Sequence, residues 1–253
     1  MTARVLAVAN QKGGVGKTTT AINLGAALAA MERRVLLVDC DPQGNASRGL
    51  GVEADTPHLY QVLVGEVAMG QVVRESGFPF LDLVPAARDL VGIEVEFVEL
   101  EGWEKRLARA LDEVRDRYDA ILLDCPPSLG HLTVSALSAA DGVLVPLQCE
   151  YFALEGISAL VSTVRRIQTG VNPRLRIAGI LLTMYDDRTN LSKDVAQEIR
   201  RHFSRQVFET VVPRNVRLAE APSYGRPILA YDIKSRGAEA YLALARELLE
   251  RAA

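Results

Sequence analysis

Hydrophobic positions along this chain follow two rhythms. Short, mainly apolar runs at residues 5–8, 34–39, 80–84, 120–124, 142–147, 177–183 and 207–211 each read as a strand. Segments of helical periodicity lie between them, at 21–30, 103–118, 156–168, 191–203 and 235–251. Strand and helix in alternation predict an α/β fold, a mostly parallel twisted sheet with helices on both faces. Residues 51–78 carry Gly51, Pro57, Gly65, Gly70 and Gly77 and read as loops and short helices over a sheet edge. A long loop is expected between 211 and 235. No repeat, low-complexity stretch or linker interrupts the order. With 253 residues, 49% of them hydrophobic, one domain spanning 1–253 is the simplest division.

Composition narrows the setting. No run approaches the ~20 apolar residues of a membrane span, and no charged-then-apolar leader stands at the start, so a cytoplasmic protein without membrane contact is expected. Cys40, Cys125 and Cys149 each follow an apolar run and share no C-x-x-C spacing. They read as buried free thiols rather than metal or cluster ligands.

The first chemistry lies between the first strand and the first helix, in Asn10-Gln11-Lys12-Gly13-Gly14-Val15-Gly16-Lys17-Thr18-Thr19. The glycines permit a sharp turn that brings backbone N–H groups close to a polyanion, and the following helix aims its positive end at the same point. Gly13, Gly14, Val15, Gly16, Lys17, Thr18 and Thr19 are therefore the expected phosphate-binding residues. Lys17 would reach the β- and γ-phosphates, and the Thr18 hydroxyl would ligate Mg²⁺. The stretch departs from the usual G-x-x-x-x-G-K-[ST] loop: Gln11 stands where glycine is usual, and Lys12 is an additional cation. A second lysine beside a phosphate loop needs extra negative charge to neutralise, or acts as a finger on a nucleotide in a neighbouring subunit.

Two acidic strand ends complement the loop, since ligands of open parallel sheets bind beyond the carboxyl ends of the strands. Asp39 and Asp41 close one strand in Val38-Asp39-Cys40-Asp41-Pro42-Gln43-Gly44-Asn45, and Asp124 closes another in Leu122-Leu123-Asp124-Cys125-Pro126-Pro127-Ser128. Carboxylates there hold Mg²⁺ through its waters and orient an attacking water, or else cap helices and begin turns. Asn215, in Val212-Pro213-Arg214-Asn215, either pairs both faces of its amide with an adenine edge or serves as a turn residue.

These motifs resemble the ParA/MinD ATPases. KGGVGKTT is similar to their deviant Walker A motif, which implies a P-loop NTPase fold and makes Lys12 the signature lysine. DCDPQGN resembles the family's switch I, in which Asp41 positions the hydrolytic water. LLDCPPS resembles Walker B and switch II, with Asp124 on the magnesium side. The resemblance thus implies Lys12, Lys17 and Asp41 as catalytic residues and Thr18, Asp41 and Asp124 around the metal. Asp39 stays undecided between metal support and another role. PRNVRLAEAPS is similar to the Soj branch, where this loop wraps the base through residues matching Pro213 and Asn215. CEYFALEG, TMYD-x-RTN and SRGAEAYLALA extend the likeness over essentially the whole chain. Glu150 is expected to face the ribose or a partner subunit.

Charge divides the chain. The net charge of −3 argues by itself against a nucleic-acid binder. Yet residues 165–236 hold 14 Lys+Arg against 7 Asp+Glu, net +7, whereas residues 1–125 hold 13 against 19, net −6. A basic region on an acidic protein tracks phosphate backbones without reading sequence. Arg188 and Arg217 match positions that bind DNA nonspecifically in Soj-like relatives. Lys193, Arg200, Arg201, Lys234 and Arg236 are further candidates, with a solvated, ion-paired surface as the alternative for any one of them. The resemblance implies ATP and Mg²⁺ as cofactors and an ATP-sandwiched homodimer bound nonspecifically to double-stranded DNA on the nucleoid. It also implies a ParB-like (Spo0J-like) partner that stimulates hydrolysis and so drives chromosome or plasmid segregation. The alternative is a ParA-like ATPase that positions another cargo, a protein cluster or organelle. A membrane-bound MinD is disfavoured because residues 241–251 form no basic amphipathic tail. Cluster carriers lack matching cysteines here, and a preceding helix-turn-helix is not expected with eleven residues before Lys12. A non-enzymatic nucleotide scaffold would require loss of Asp41 or Lys17, and both are present.

Overall fold

The structure, a computed structural model, describes residues 3–151 and 153–252; Phe152, within CEYFALEG, lies outside them. Eight strands form one sheet: β1 (Arg4–Val8), β2 (Val35–Asp39), β3 (Arg74–Glu75), β4 (Leu81–Val84), β5 (Ala120–Asp124), β6 (Gly142–Gln148), β7 (Arg176–Tyr185) and β8 (Val207–Pro213). Their order is β3-β4-β2-β5-β1-β6-β7-β8. All neighbours run parallel except the two-residue β3, which pairs antiparallel with β4 at one edge.

Successive residues of a strand point to opposite faces. In β1, Val5 and Ala7 enter one core cluster while Leu6 and Val8 enter the other; in β2, Leu36 and Val38 part from Val35 and Leu37 in the same way. Both faces are covered, which is why these runs are apolar at every position instead of alternating.

The helices are α1 (Lys17–Ala29), α2 (Asn45–Gly49), α3 (Leu59–Val64), α4 (Met69–Val72), α5 (Ile93–Glu96), α6 (Arg106–Asp112), α7 (His131–Ala139), α8 (Ala153–Thr169), α9 (Asn190–Phe203), α10 (Val216–Glu220), α11 (Ile228–Tyr231) and α12 (Arg236–Ala252). Ile22, Leu24 and Leu28 of α1 share one cluster with Tyr241, Leu244 and Leu248 of α12. The buried hydroxyls of Thr20 and Tyr241 lie 3.2 Å apart between these two helices. On the opposite face, α6, α7, α8 and α9 contribute Leu111, Ala136, Leu160 and Ile199 to the other cluster.

Three segments differ from expectation. Residues 103–118 form a 3₁₀ turn, α6 and a second 3₁₀ turn (Arg115–Arg117) instead of one helix. Arg115 sits at this break: its guanidinium donates to the Ala3 carbonyl at 2.9 Å and to Asp141 at 2.6 Å, tying the second turn to the starts of β1 and β6. Helix α7 had no counterpart in the sequence reading. Its N-cap is Gly130 without a side-chain cap, and the acceptor for its first N–H is Glu94, 37 residues upstream. The loop expected between 211 and 235 is also partly helical, holding α10, a 3₁₀ turn (Ala221–Tyr224) and α11.

Candidate functional site

The carboxyl ends of three central strands finish level. Asp124 pairs in register with Val8 of β1 on one side and with Asp39 of β2 on the other. From Val8 the chain turns through residues 9–16 into α1, and three bonds hold that turn. Asn10 Nδ2 donates to the Pro146 carbonyl at 2.7 Å, Asn10 Oδ1 accepts from the Lys12 N–H at 3.0 Å, and Thr183 Oγ1 donates to the Val15 carbonyl at 2.8 Å. Gly14 and Gly16 have φ of 74° and 88°, a left-handed conformation that other residues adopt only with strain. Gly16 is the N-cap of α1 and supplies no side-chain acceptor, so the first N–H groups of the helix face outward with their partial positive charge. Gly13 and Gly14 are exposed, Val15 is buried, and Thr18 and Thr19 are half-buried at the helix start.

The two lysines occupy different surroundings. Lys17 is buried, and its ammonium donates to the Lys12 carbonyl at 3.1 Å. Burial pushes its pKa down, opposed by Asp124 above all. Lys12 is half-exposed, with its ammonium 2.7 Å from Glu150 Oε2 of the same chain. Glu150, which also accepts from the Gln148 amide, is thus paired with Lys12 within the chain. An ion pair so accessible contributes only about 0–1 kcal/mol and yields readily to a polyanion.

The acids fall into three roles. Asp39, fully buried, accepts from the Ser47 N–H at 2.9 Å, the Ser47 hydroxyl at 2.7 Å and the Asp41 N–H at 3.2 Å, and so folds residues 40–47 over the strand end. Burial raises its pKa to about 6 despite these donors. Asp41 begins the loop, accepting from the Gln43 N–H at 2.9 Å. Asp124 is fully buried, and neither of its oxygens has a hydrogen-bond partner. Burial and then Asp39 push its pKa well up, offset in part by the Thr18 hydroxyl and, more weakly, by Lys17. An orphaned carboxylate beside a threonine hydroxyl suits a hard cation. Among the described residues no three His, Cys, Asp or Glu side chains form a metal cage.

Beside the loop lies an apolar cavity of about 340 Å³ lined by Gly16, Thr19, Thr183, Val212, Pro213 and Asn215, among others. Asn215 is the N-cap of α10, its Oδ1 accepting from the Arg217 N–H at 2.8 Å. One lone pair of its amide is therefore committed to the cap, and the face left for a base is chiefly the NH₂ donor.

The basic residues are dispersed. Arg188 forks onto Asp186 at 2.9 and 2.8 Å, and these bonds hold the Asp186 carboxyl below the usual range. It lines an open groove together with Arg214 and Arg236. Arg217 is bonded to Glu220 at 2.9 Å with Asp232 at 3.6 Å. Arg200 pairs with Glu209.

Asn10, Ser47 and Thr183 hold the site in place and escaped the sequence reading. Asn10 sits inside a quoted motif and Ser47 lies two residues beyond the end of another, so proximity to the loop is the available signal. Thr183 comes from a strand far along the chain, and only the sheet brings it to Val15. The three cysteines are buried and free, as their apolar surroundings suggested.

The comparisons agree with this geometry. Residues 3–177 match a family model described as an AAA domain. The chromosome partitioning protein ParA of Myxococcus xanthus is 54% identical over 250 residues, covering 98% of this chain and 88% of that protein. The sporulation initiation inhibitor protein Soj of Bacillus subtilis is 53% identical over 247 residues, covering 97% and 98%. A solved structure of cobyrinic acid a,c-diamide synthase from Mycobacterium smegmatis with bound ATP analogue and magnesium superposes with a TM-score of 0.87 at 40% identity, covering 98% of this chain and 95% of that one. Full-length identity above half, together with the loop and acids described, means that the chain belongs to the ParA/Soj family of chromosome-partitioning ATPases.

Proposed function

We propose that this chain is an ATP-dependent dimeric switch that binds DNA nonspecifically and hydrolyses ATP under stimulation by a ParB-like partner, on the nucleoid of the cytoplasm. The observation that carries the nucleotide part is a shared wall. Gly16 and Thr19 belong both to the phosphate loop and to the apolar cavity, so a base held by Pro213 and Asn215 sets its phosphates on the N–H groups opening α1. Lys17 exchanges the Lys12 carbonyl for the β- and γ-phosphate oxygens. Thr18, Asp124 and Asp41 hold the magnesium, which when bound neutralises charge across those oxygens. Asp41 orients the water.

Lys12 supplies the switch. Nucleotide drives dimerisation only if it binds the dimer better than the monomer. A lysine that leaves Glu150 for the triphosphate of the facing subunit creates that difference. Dimerisation also doubles the basic contacts to DNA, with Arg188 and Arg217 exchanging their own carboxylates for phosphates, and steepens the salt dependence.

Light scattering coupled to size-exclusion chromatography tests the reading. With ATP and Mg²⁺, Asp41→Ala should elute as a stable dimer and Lys12→Ala/Asp41→Ala as a monomer; a dimeric double variant overturns the role of Lys12. In DNA titrations, Arg188→Glu or Arg217→Glu should weaken binding to every sequence and lower the salt slope by about 1. Unchanged binding moves the DNA surface elsewhere.

A further inference from the structure

Residues 88–101 form a surface that the nucleotide chemistry does not use. The chain there passes through a 3₁₀ turn (Arg88–Gly92), α5 and one further turn. Leu90, Ile93 and Phe97 point inward and are fully buried. Val91, Val95 and Val98 point outward, 51%, 75% and 64% exposed. A surface helix normally turns polar residues to water, and valine is a poor helix former besides. Three exposed valines at four- and three-residue spacing therefore call for an explanation other than helix formation.

Their surroundings are acidic. Residues 88–105 contain six Asp+Glu and two Lys+Arg. Glu99 and Glu101 are exposed beside the valines. The sign of charge excludes a nucleic-acid backbone, and a second copy of the same surface would repel itself. A partner that buries the valines and answers the carboxylates carries an apolar stripe flanked by lysine or arginine.

The surface is wired to the site. Glu94 of α5 accepts from the His131 and Leu132 N–H groups at 2.8 and 3.2 Å, and its carboxylate lies 3.1 Å from His131 Nδ1. A Cβ added to Gly130 would fall 2.5 Å from Glu94 Oε2, so carboxylate and backbone are closely packed. Trp103 meets the His131 ring edge-on at 4.6 Å. Helix α7, whose start Glu94 holds, follows directly on the loop from Asp124 through Pro126 and Pro127.

We propose that the valine-faced acidic surface of residues 88–101 docks a basic amphipathic peptide segment, and that Glu94 transmits its binding to the Asp124 loop. The docking stands by itself; the effect on turnover rests on the ATPase reading above.

The probe is a fluorescein-labelled peptide of lysine and leucine with leucines at helical spacing, compared with the same composition scrambled. Fluorescence anisotropy should show the patterned peptide binding about tenfold more tightly than the scrambled one, a difference of about 1.4 kcal/mol. Val95→Asp should remove that advantage, and Glu99→Lys/Glu101→Lys should weaken both peptides. Both sets of changes are on exposed positions, and unchanged thermal melts certify the fold. Equal affinity for the two peptides, or affinities indifferent to these variants, overturns the proposal. So does a wild-type chain that self-associates with concentration while Val95→Asp does not, because the surface is then an interface between copies. Bound peptide should slow hydrogen exchange across residues 131–139 and change the ATPase rate of wild type but not of Val95→Asp. Docking without either change overturns the coupling through Glu94. A chain that binds peptide yet never turns over ATP refutes the ATPase reading alone.

Discussion

Asp39 and Asp124 end neighbouring strands, pair in register, precede a cysteine in the same way and are equally buried, yet they differ completely in bonding. Asp39 takes three hydrogen bonds from the Ser47 and Asp41 segment, whereas neither oxygen of Asp124 has a partner. Burial lifts both carboxyls, Asp39 raises Asp124 further, and Asp41 raises each of them. The donors around Asp39 keep its value near 6, while Asp124 goes higher without them. The difference separates two roles that share one sequence pattern. A carboxylate saturated by its own loop builds that loop. A buried carboxylate that its own loop does not bond fits a cation that arrives with the substrate.

Exchange of the two residues for asparagine breaks the comparison most sharply. Asp124→Asn should lower ATP turnover about 1,000-fold, roughly 4 kcal/mol of transition-state stabilisation. It should also abolish the magnesium-dependent part of the thermal shift given by nucleotide. The nucleotide-free melting temperature should rise at neutral pH, since a buried carboxyl whose pKa is pushed up destabilises the fold when charged and asparagine carries no charge. A large fall in nucleotide-free stability would show that Asp124 has a structural role after all.

The next effect is pH-dependent. The folded pKa of Asp39, about 6, is raised above its unfolded value of 3.8. Its contribution to stability is therefore complete below the unfolded pKa and is lost as pH rises through the folded one. The difference in urea-unfolding free energy between wild type and Asp39→Asn should change by about 3 kcal/mol from about pH 4 to pH 6.5 and then level off. A flat difference would return Asp39 to an ordinary exposed-like carboxyl.

The sequence carried the sheet and the loop well because both depend on local pattern. Strands covered on two faces are apolar throughout, and Gly14 and Gly16 mark backbone that only glycine adopts easily. Contacts closed by the tertiary fold were not legible. The Lys12–Glu150 pair joins residues 138 apart, the cap of α7 comes from Glu94, and Asn215 spends an acceptor on α10. Asp39 and Asp124 are the clearest instance. Side by side in the chain's grammar they are equivalent, and only the closing of residues 40–47 onto Asp39 distinguishes them.

The smallest test asks what Ser47 does for that distinction. Its hydroxyl donates to Asp39 Oδ2 at 2.7 Å and accepts from the Ala86 N–H at 3.1 Å, tying the loop to the segment after β4. Ser47→Ala should cost about 1–2 kcal/mol in urea unfolding near neutral pH, because a buried donor loses its acceptor. It should also move the pH midpoint of the Asp39 effect upward, since the lost hydroxyl favoured the charged carboxylate. Stability and midpoint separate the two bonds. A loss of stability with the midpoint unmoved would assign the hydroxyl to Ala86 alone and leave the Ser47 and Asp41 N–H groups as the donors that set Asp39 apart from Asp124.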